Sequence, residues 1–205
     1  MNRIFIFDVG NVLMSFLPLA FLNDRYADRD LANRLETVIF ESPVWAMLDR
    51  GSVTDRQAID ILSGYEPDIA NEISEVILGW TSIMKPIEEN ISLLYELKKQ
   101  EVKLYYLSNM PLTGADYLPA NYDYFRIFSG GIFSARERLA KPEPEIYELL
   151  LKRYALDRQA CVFIDDSEAN TDAASDLGIK SVLYKNPEQL INEISALRDD
   201  APTDR

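Results

Sequence analysis

Two short apolar runs that end abruptly in aspartate constrain the fold of this chain more than any other feature. Residues 3–7 (RIFIF) directly precede Asp8. Residues 160–164 (ACVFI) directly precede the adjacent pair Asp165 and Asp166. Nearly continuous apolar runs of this length are typical of parallel strands, because helices cover such a sheet on both faces. The sequence therefore favours an α/β fold with carboxylates at the carboxyl ends of two strands.

Further β-type runs alternate with helical patterns along the second half of the chain. The β-type runs cover residues 102–107, 180–184 and, more weakly, 131–134. The helical patterns cover residues 87–99, 143–154 and 169–177. Alternating strands and helices predict a doubly wound parallel sheet. We interpret residues 111–125 as a loop whose aromatic side chains pack against the sheet rather than cover a substrate.

A long helical stretch separates the first two strands. Residues 15–84 contain no convincing strand, and helical patterns lie around residues 18–26, 30–40, 54–62 and 67–80, with Thr54 as an N-cap. A crossover within one sheet needs only about a dozen residues. We therefore expect a core formed by residues 1–15 and 85–200, an inserted helical domain at 16–84, and a frayed tail at 201–205. The insertion follows the first strand, so it lies above the carboxyl ends of the sheet, where α/β sheets bind ligands.

The composition excludes several kinds of chemistry. The 205 residues include no histidine and one cysteine, which rules out a Ser-His or Cys-His dyad, a His-ligated zinc and an intramolecular disulfide. The net charge is −13, with 21 basic and 34 acidic residues, which opposes binding to nucleic acid or anionic lipid. No segment is typical of a signal peptide or a membrane span. We expect a cytoplasmic protein whose chemistry depends on carboxylates, hydroxyls, amides, lysine and a hard metal ion.

Polar residues at the strand ends are the candidate site. Besides the three aspartates, Ser108 and Asn109 follow the second strand, and Lys141 precedes a helix. Each alone is also compatible with a turn, a loop or a solvated helix N-terminus. Two adjacent carboxylates at the end of a buried strand are harder to explain structurally, because like charges repel unless a cation lies between them.

The order of four motifs carries a family resemblance. The motifs are residues 8–12 (DVGNV), 107–109 (LSN), 141–147 (KPEPEIY) and 164–170 (IDDSEAN). Together they resemble the haloacid dehalogenase (HAD) superfamily, which implies a Rossmann-like core, with the insertion similar to that superfamily's helical C1 cap. The branch with soluble epoxide hydrolase phosphatase domains and bacterial glucose-1-phosphate phosphatases is the most similar. Trp45 and residues 48–51 (LDRG) also resemble that branch.

The resemblance implies a phosphatase mechanism that needs no histidine. Asp8 would be the nucleophile, because a carboxylate is already ionised at neutral pH. Mg²⁺ would be held by Asp8, the carbonyl of Gly10 and Asp166, with Asp165 acting through metal-bound water. An all-oxygen shell suits this ion. With Lys141, the site would then carry three positive and three negative charges.

The remaining site residues are assigned from the same resemblance. The phosphoryl oxygens would be bound by Ser108, Asn109 and Lys141. Asn170 would orient Lys141 or the metal shell from the second layer. Asn11 is a further candidate for contact with the substrate or with a water molecule.

One departure from the superfamily pattern affects catalysis. Most phosphatases of the superfamily carry an aspartate two residues after the nucleophile, as general acid and base, and here that residue is Gly10. General acid–base groups typically contribute ~10²–10⁴-fold in rate. Substrates with good leaving groups, such as acyl phosphates and sugar 1-phosphates, would suffer least.

Three functions are therefore compared. The favoured one is a Mg²⁺-dependent phosphatase of a small phosphorylated metabolite, with a sugar phosphate as the expected substrate, working as a monomer or homodimer. The second is a HAD-fold binding or regulatory protein with weakened catalysis. The third is a 2-haloacid dehalogenase, which attacks carbon without a metal; Gly10 and the pair Asp165–Asp166 count against it.

Overall fold

The computed structural model describes residues 3–199. Its strands, in chain order, are β1 (Ile4–Phe7), β2 (Met14–Ser15), β3 (Lys85–Pro86), β4 (Lys103–Ser108), β5 (Gly130–Phe133), β6 (Cys161–Asp165) and β7 (Lys180–Leu183). The expected tail at 201–205 lies outside the described residues.

Five of these strands form one parallel sheet with the order β5-β4-β1-β6-β7. β1 is the central strand, and its Phe7 is paired with Tyr106 of β4 on one side and Ile164 of β6 on the other. The carboxyl ends of β1, β4 and β6 therefore lie next to one another. This sheet confirms the predicted Rossmann-like α/β fold.

The helices alternate with the sheet strands and fill the insertion. In chain order they are α1 (Pro18–Arg25), α2 (Arg29–Leu35), α3 (Pro43–Asp49), α4 (Asp55–Tyr65), α5 (Ala70–Gly79), α6 (Glu88–Lys99), α7 (Leu112–Asn121), α8 (Ser134–Glu137), α9 (Pro144–Arg153), α10 (Glu168–Asp176) and α11 (Pro187–Asp199). A π-helical turn follows α2 at Glu36–Phe40, and 3₁₀ turns cover Pro67–Ile69, Trp80–Ile83, Asp123–Ile127 and Arg158–Ala160.

Alternate side chains of the central strand enter two different apolar layers. Phe5 and Phe7 are fully buried in a cluster that also contains residues of α6 and α11. Ile6 and Phe163 are buried in a second cluster with residues of α9 and α10. Because successive side chains of a strand point to opposite faces, β1 must be apolar throughout. This explains the uninterrupted apolar run that precedes Asp8.

A short antiparallel ribbon lies where the helical insertion begins and ends. β2 pairs with β3, with Met14 opposite Pro86 and Ser15 opposite Lys85. The Ile87 amide donates a hydrogen bond of 2.9 Å to the Leu13 carbonyl, which extends the contact toward the core. The two chain segments that connect the insertion to the sheet therefore run side by side. The division into a core and a cap at 16–84 remains our proposal.

Several local predictions can be compared directly with the structure. Thr54 caps α4, and its side chain and that of Gln57 form a reciprocal capping box. The prediction of a loop at residues 111–125 was wrong, because α7 occupies most of it and contains Pro119. α3 was not predicted, since its seven residues are too few to display a clear helical period.

The end of α3 lies tightly against α8. Gly51 has φ +70°, and a Cβ atom built on it would overlap the carbonyl oxygen of Ala135. Arg50 forms an ion pair with Glu143 at the start of α9. These contacts fix the C-terminal end of α3 on the sheet core.

We predict that Gly51→Ala destabilises the protein by about 1–3 kcal/mol, because the new methyl group requires a left-handed backbone and meets Ala135. Gly64→Ala is the matched control, since Gly64 lies in the exposed face of α4 with open space around it. The control should gain roughly 0.5–1 kcal/mol. Urea denaturation of both variants checks this, and equal stability of the two would contradict the tight docking.

Candidate active site

Three carboxylates meet at the carboxyl ends of β1 and β6. Asp8 follows β1, Asp165 ends β6, and Asp166 follows it. Asp8 and Asp165 are buried, and Asp166 is exposed. One carboxylate oxygen from each residue lies within 4.8 Å of the others. The structure thus brings together the three acidic residues that the sequence singled out.

Lys141 is the positive charge of this cluster. Its Nζ atom lies 2.6 Å from Oδ2 of Asp165, to which it donates a hydrogen bond, and 2.8 Å from Oδ1 of Asp8. The Lys141 side chain is buried, and its Nζ lies 5.4 Å from the centre of the Phe163 ring. Burial alone would lower the pKa of Lys141, but the carboxylates of Asp8 and Asp165 outweigh it and raise that pKa. Lys141 is therefore held in its charged form.

The surroundings of Asp8 destabilise its ionised form. Burial raises its pKa to about 7, the charges of Asp165 and Asp166 act in the same direction, and Lys141 acts in the opposite direction. Its Oδ1 atom is buried, and among the described residues it accepts no well-directed hydrogen bond, since the contact with Lys141 has ion-pair geometry only. A further positive charge near Asp8 would stabilise its ionised form.

A second layer of hydrogen bonds fixes Asp165. The Asn170 amide donates to both of its carboxylate oxygens, at 3.0 and 3.1 Å, and the Ser167 amide donates to Oδ1 at 2.8 Å. The Tyr147 hydroxyl donates to the Asn170 carbonyl at 2.9 Å. Asn170 therefore contacts Asp165 directly and reaches Lys141 only through it.

The residues after β4 position the Lys141 backbone. The Asn109 side chain donates to the Lys141 carbonyl at 2.9 Å and accepts from its amide at 2.8 Å. Ser108 is buried, and its hydroxyl makes one long hydrogen bond of 3.3 Å to the Asn109 carbonyl. The amide of Asn109 is thus engaged, while the Ser108 hydroxyl has bonding capacity left. That both bind substrate stays a prediction.

The loop after Asp8 contains the predicted Asn11 and Gly10. Asn11 adopts φ 52°, donates to Asp166 at 3.2 Å and accepts from the Phe16 amide at 2.9 Å. Its side chain therefore orients Asp166 and the start of the cap, and its contact with substrate stays a prediction. A Cβ atom built on Gly10 would meet nothing within 4 Å. There is accordingly room for a side chain where the superfamily pattern has aspartate.

The donor set fits a hard divalent cation. The oxygens of Asp8, Asp165 and Asp166 lie close together, and three carboxylates against the single ammonium of Lys141 leave two excess negative charges. Mg²⁺ prefers carboxylate, carbonyl and water oxygens. The buried Oδ1 of Asp8, which lacks a well-directed hydrogen bond, is also what an unsatisfied metal ligand looks like. These three carboxylates could therefore hold the ion.

A cavity of about 120 Å³ lies between the helical insertion and the segments that follow β1 and β4, and Gly10 and Asn109, rather than the charged cluster itself, form part of its wall. Apolar and aromatic side chains form much of its wall. Trp45 stacks on Phe16, with ring centres 5.9 Å apart, and packs edge-on against Trp80 at 5.3 Å. The lining residues are Gly10, Phe16, Trp45, Asp49, Trp80, Met84, Asn109, Met110 and Pro111.

Asp49 is the residue of this cavity that sequence reasoning missed as a functional group. It is the last residue of α3, and burial raises its pKa to about 7, with Asp8 acting in the same direction and Lys141 against it. Asp49 belongs to the run LDRG that resembles the family branch, but nothing in that run assigned it a chemical role, because a single aspartate in a helix resembles any solvated charge. Only the docking of α3 on the core brings Asp49 to the cavity that Gly10 also lines.

A parallel sheet with aspartates at adjacent strand ends, a buried lysine and a helical insertion after the first strand is the arrangement that the sequence resemblance predicts. The haloacid dehalogenase-like hydrolase family matches residues 3–178, so the chain belongs to that family. The sesquiterpene phosphatase astK of Aspergillus oryzae is 29% identical over 174 residues, covering 85% of each chain.

Solved structures share the fold. A HAD-like family hydrolase of Porphyromonas gingivalis superposes with a TM-score of 0.74 at 19% identity, over 98% of this chain and 100% of that one. A HAD family enzyme of Bacteroides thetaiotaomicron, in complex with magnesium and inorganic phosphate, gives 0.71 at 20% identity, over 90% and 95%. In the described part of this chain, no helix is long and apolar enough to cross a membrane.

We predict that Lys141→Met destabilises the protein by about 3–5 kcal/mol at pH 8 in EDTA, because it leaves two buried carboxylates without their counter-charge. Added Mg²⁺ should recover part of that loss by supplying the charge. Lys99→Met is the control, since Lys99 pairs with Glu96 on the exposed surface and should shift stability by less than about 0.5 kcal/mol. Urea denaturation measures the stability of Lys141→Met without and with Mg²⁺, and of Lys99→Met. A Lys141→Met variant as stable as Lys99→Met would show that Lys141 does not balance the charge of the buried carboxylates.

Proposed function

We propose that this hydrolase is a Mg²⁺-dependent phosphatase that acts on a small phosphomonoester through an aspartyl-phosphate intermediate. The observation that carries the proposal is the cluster of Asp8, Asp165, Asp166 and Lys141 beside a cavity at the carboxyl edge of the sheet. Membership of the HAD-like hydrolase family and similarity to a phosphatase support it.

The chain's own residues account for the transfer steps. Asp8 attacks phosphorus through a carboxylate oxygen, and the bond from phosphorus to the leaving oxygen breaks. Lys141 and the Ser108 hydroxyl bind phosphoryl oxygens, with Asn109 holding the Lys141 backbone in place. Water then attacks the phosphorus of the aspartyl-phosphate, which releases inorganic phosphate and restores Asp8.

The metal would be held by Asp8, the Gly10 carbonyl and Asp166, with Asp165 next to them. When bound there, Mg²⁺ supplies positive charge that offsets the excess carboxylates and lets an anionic phosphate approach Asp8. Asn11 holds Asp166 and Asn170 holds Asp165 at the end of β6, through the hydrogen bonds described above.

The side chains that line the cavity indicate the class of substrate. The branch resemblance favours a sugar phosphate, whereas the side chains around the cavity favour a substrate with an apolar group. Its walls contain Phe16, two tryptophans and two methionines, and the polar side-chain groups are Asp49, Asn109 and the indole N–H groups of the tryptophans. A sugar presents hydroxyls that would need more partners than these. We therefore propose a phosphomonoester with a compact apolar or prenyl-like group as the better candidate.

The alternatives are less well supported. A dehalogenase mechanism gives no reason for three carboxylates within 4.8 Å. A binding protein without turnover gives no reason to keep Asp8 buried with a raised pKa.

We predict that EDTA abolishes hydrolysis of para-nitrophenyl phosphate and that excess Mg²⁺ restores it. Asp8→Asn should reduce the rate to background with Mg²⁺ present, because an amide is not a nucleophile for phosphorus. Asp60→Asn, an exposed aspartate of α4, is the control and should keep the wild-type rate. Activity that survives EDTA, or an active Asp8→Asn variant, would refute the proposal.

We predict that the wild-type enzyme hydrolyses n-hexyl phosphate with a kcat/KM about 10-fold or more above that for glucose 1-phosphate, because an apolar wall leaves sugar hydroxyls without partners. Phosphate release on both substrates, with equal Mg²⁺, measures the ratio. A preference for the sugar would instead support the expectation drawn from the sequence.

A further inference from the structure

We propose that Asp49 is the general acid and base of this enzyme, in the role that Gly10 leaves unfilled. This inference rests on the proposed phosphatase function. It assigns a group of the cap, rather than of the sheet core, to the proton transfers at the leaving group and at the attacking water.

The first argument is position. Asp49 and Gly10 line the same cavity, on its cap side and its core side respectively. Among the described residues that line it, Asp49 has the one ionisable side chain. A general acid must lie within reach of the oxygen that leaves phosphorus. Gly10 lies two residues after Asp8 and forms part of the core side of this cavity, so we place the leaving group in the cavity that Asp49 lines.

The second argument is the way Asp49 is held. The Ser134 hydroxyl donates a hydrogen bond to the Asp49 backbone carbonyl and accepts one of 2.8 Å from the Met110 amide. Met110 directly follows Asn109, whose side chain holds Lys141. Asp49 is therefore tied through one hydroxyl to the segment that positions the phosphate-binding lysine. Gly51 and Arg50 dock the same end of α3 on the core.

The third argument is that this placement lacks a structural benefit. A carboxylate at the C-terminal end of a helix is disfavoured by the helix dipole. Within residues 3–199, no cation or hydrogen-bond donor pairs with the Asp49 side chain, and an apolar wall surrounds it. Titratable residues that are costly for stability and lie in a cleft are typical of functional sites.

The electrostatics agree with the geometry. Burial raises the pKa of Asp49 to about 7, so both of its protonation states are populated at neutral pH. The charged groups that act on it are Asp8, which raises the pKa, and Lys141, which lowers it. Arg50, the residue that follows α3, forms an ion pair with Glu143.

The proton transfers balance over the two steps. In the first, Asp8 forms a bond to phosphorus, the bond to the leaving oxygen breaks, and protonated Asp49 gives its proton to that oxygen. In the second, the Asp49 carboxylate takes a proton from water as the water oxygen bonds to phosphorus. The bond between phosphorus and Asp8 then breaks, which leaves Asp8 ionised and Asp49 protonated for the next cycle.

The test uses Asp49→Asn in the full chain with Mg²⁺. The variant should lose ~10²–10⁴-fold in kcat on n-hexyl phosphate, whose alkoxide leaving group needs a proton. On para-nitrophenyl phosphate the first step needs no acid, so a burst of about one equivalent of nitrophenolate should remain. Asp60→Asn is the matched control on the same cap and should behave as wild type.

Rescue and stability separate a chemical role from a structural one. Gly10→Asp in the Asp49→Asn background should restore at least about 10-fold of the lost rate, because there is open space for the new side chain. Asp49→Asn should also raise the melting temperature at pH 8.5 more than at pH 5. A carboxyl whose folded pKa of about 7 exceeds its ordinary 3.8 loses its contribution to stability as the pH rises through 7, whereas Asn does not.

The outcomes distinguish this inference from the proposed function. If wild type hydrolyses both substrates and Asp49→Asn does so at the same rate, Asp49 is not the acid and base, while the phosphatase function stands. A folded Asp49→Asn that loses activity, with neither a burst nor rescue by Gly10→Asp, would also overturn the inference. If wild type releases no phosphate from any phosphomonoester with Mg²⁺, the proposed function itself fails.

Discussion

The ion cluster around Lys141 Nζ is the interaction on which the rest of the site depends. Burying an unpaired charge is costly, so Lys141 and the carboxylates of Asp8 and Asp165 can be buried only together. Asp8 comes from the central strand β1, Asp165 from its neighbour β6, and Lys141 from the segment before α9. One ammonium group therefore fixes three distant parts of the chain at one edge of the sheet.

The cluster has fewer positive than negative charges, and this imbalance suits catalysis. One lysine cannot balance three carboxylates, and the imbalance leaves Asp8 with a raised pKa and a buried oxygen that lacks a well-directed hydrogen bond. A site in this condition gains stability when a cation binds, and with the cation it can accept a phosphate dianion. The shortage of positive charge at the site thus explains both the metal requirement and the substrate charge that we propose.

The chemistry is divided between the two parts of the chain. The core supplies the charged groups, whereas α3 and the turns near Phe16 and Trp80 supply an apolar wall and Asp49. The cavity of about 120 Å³ is smaller than typical ligand pockets of ~300–1,000 Å³. We therefore propose that the helical insertion at 16–84 moves away from the sheet core when substrate enters, with the ribbon formed by β2 and β3 as the connection between them.

The features that could be predicted from the sequence are those marked by a short local pattern or by the order of motifs along the chain. The apolar runs that end at Asp8 and Asp165 predicted the positions of β1 and β6, because a strand that is covered on both faces is apolar along its whole length. Pro119 and the small residues of α7 masked a helix, and α3 was too short to show a period. Asp49 lies in the LDRG run that resembles the family branch, but its place at the cavity could not be predicted, because it depends on contacts between Ser134 and α3 that are 85 residues apart in sequence.

The most direct test of the account is chemical trapping of Asp8 during turnover. A reaction with phosphomonoester and Mg²⁺ is quenched in acid, reduced with borohydride and analysed by peptide mass spectrometry. Borohydride converts an aspartyl-phosphate into homoserine, so we predict homoserine at position 8 and unmodified aspartate at positions 165 and 166. Phosphate release with Asp8 unmodified, or with the modification at another aspartate, would contradict the account.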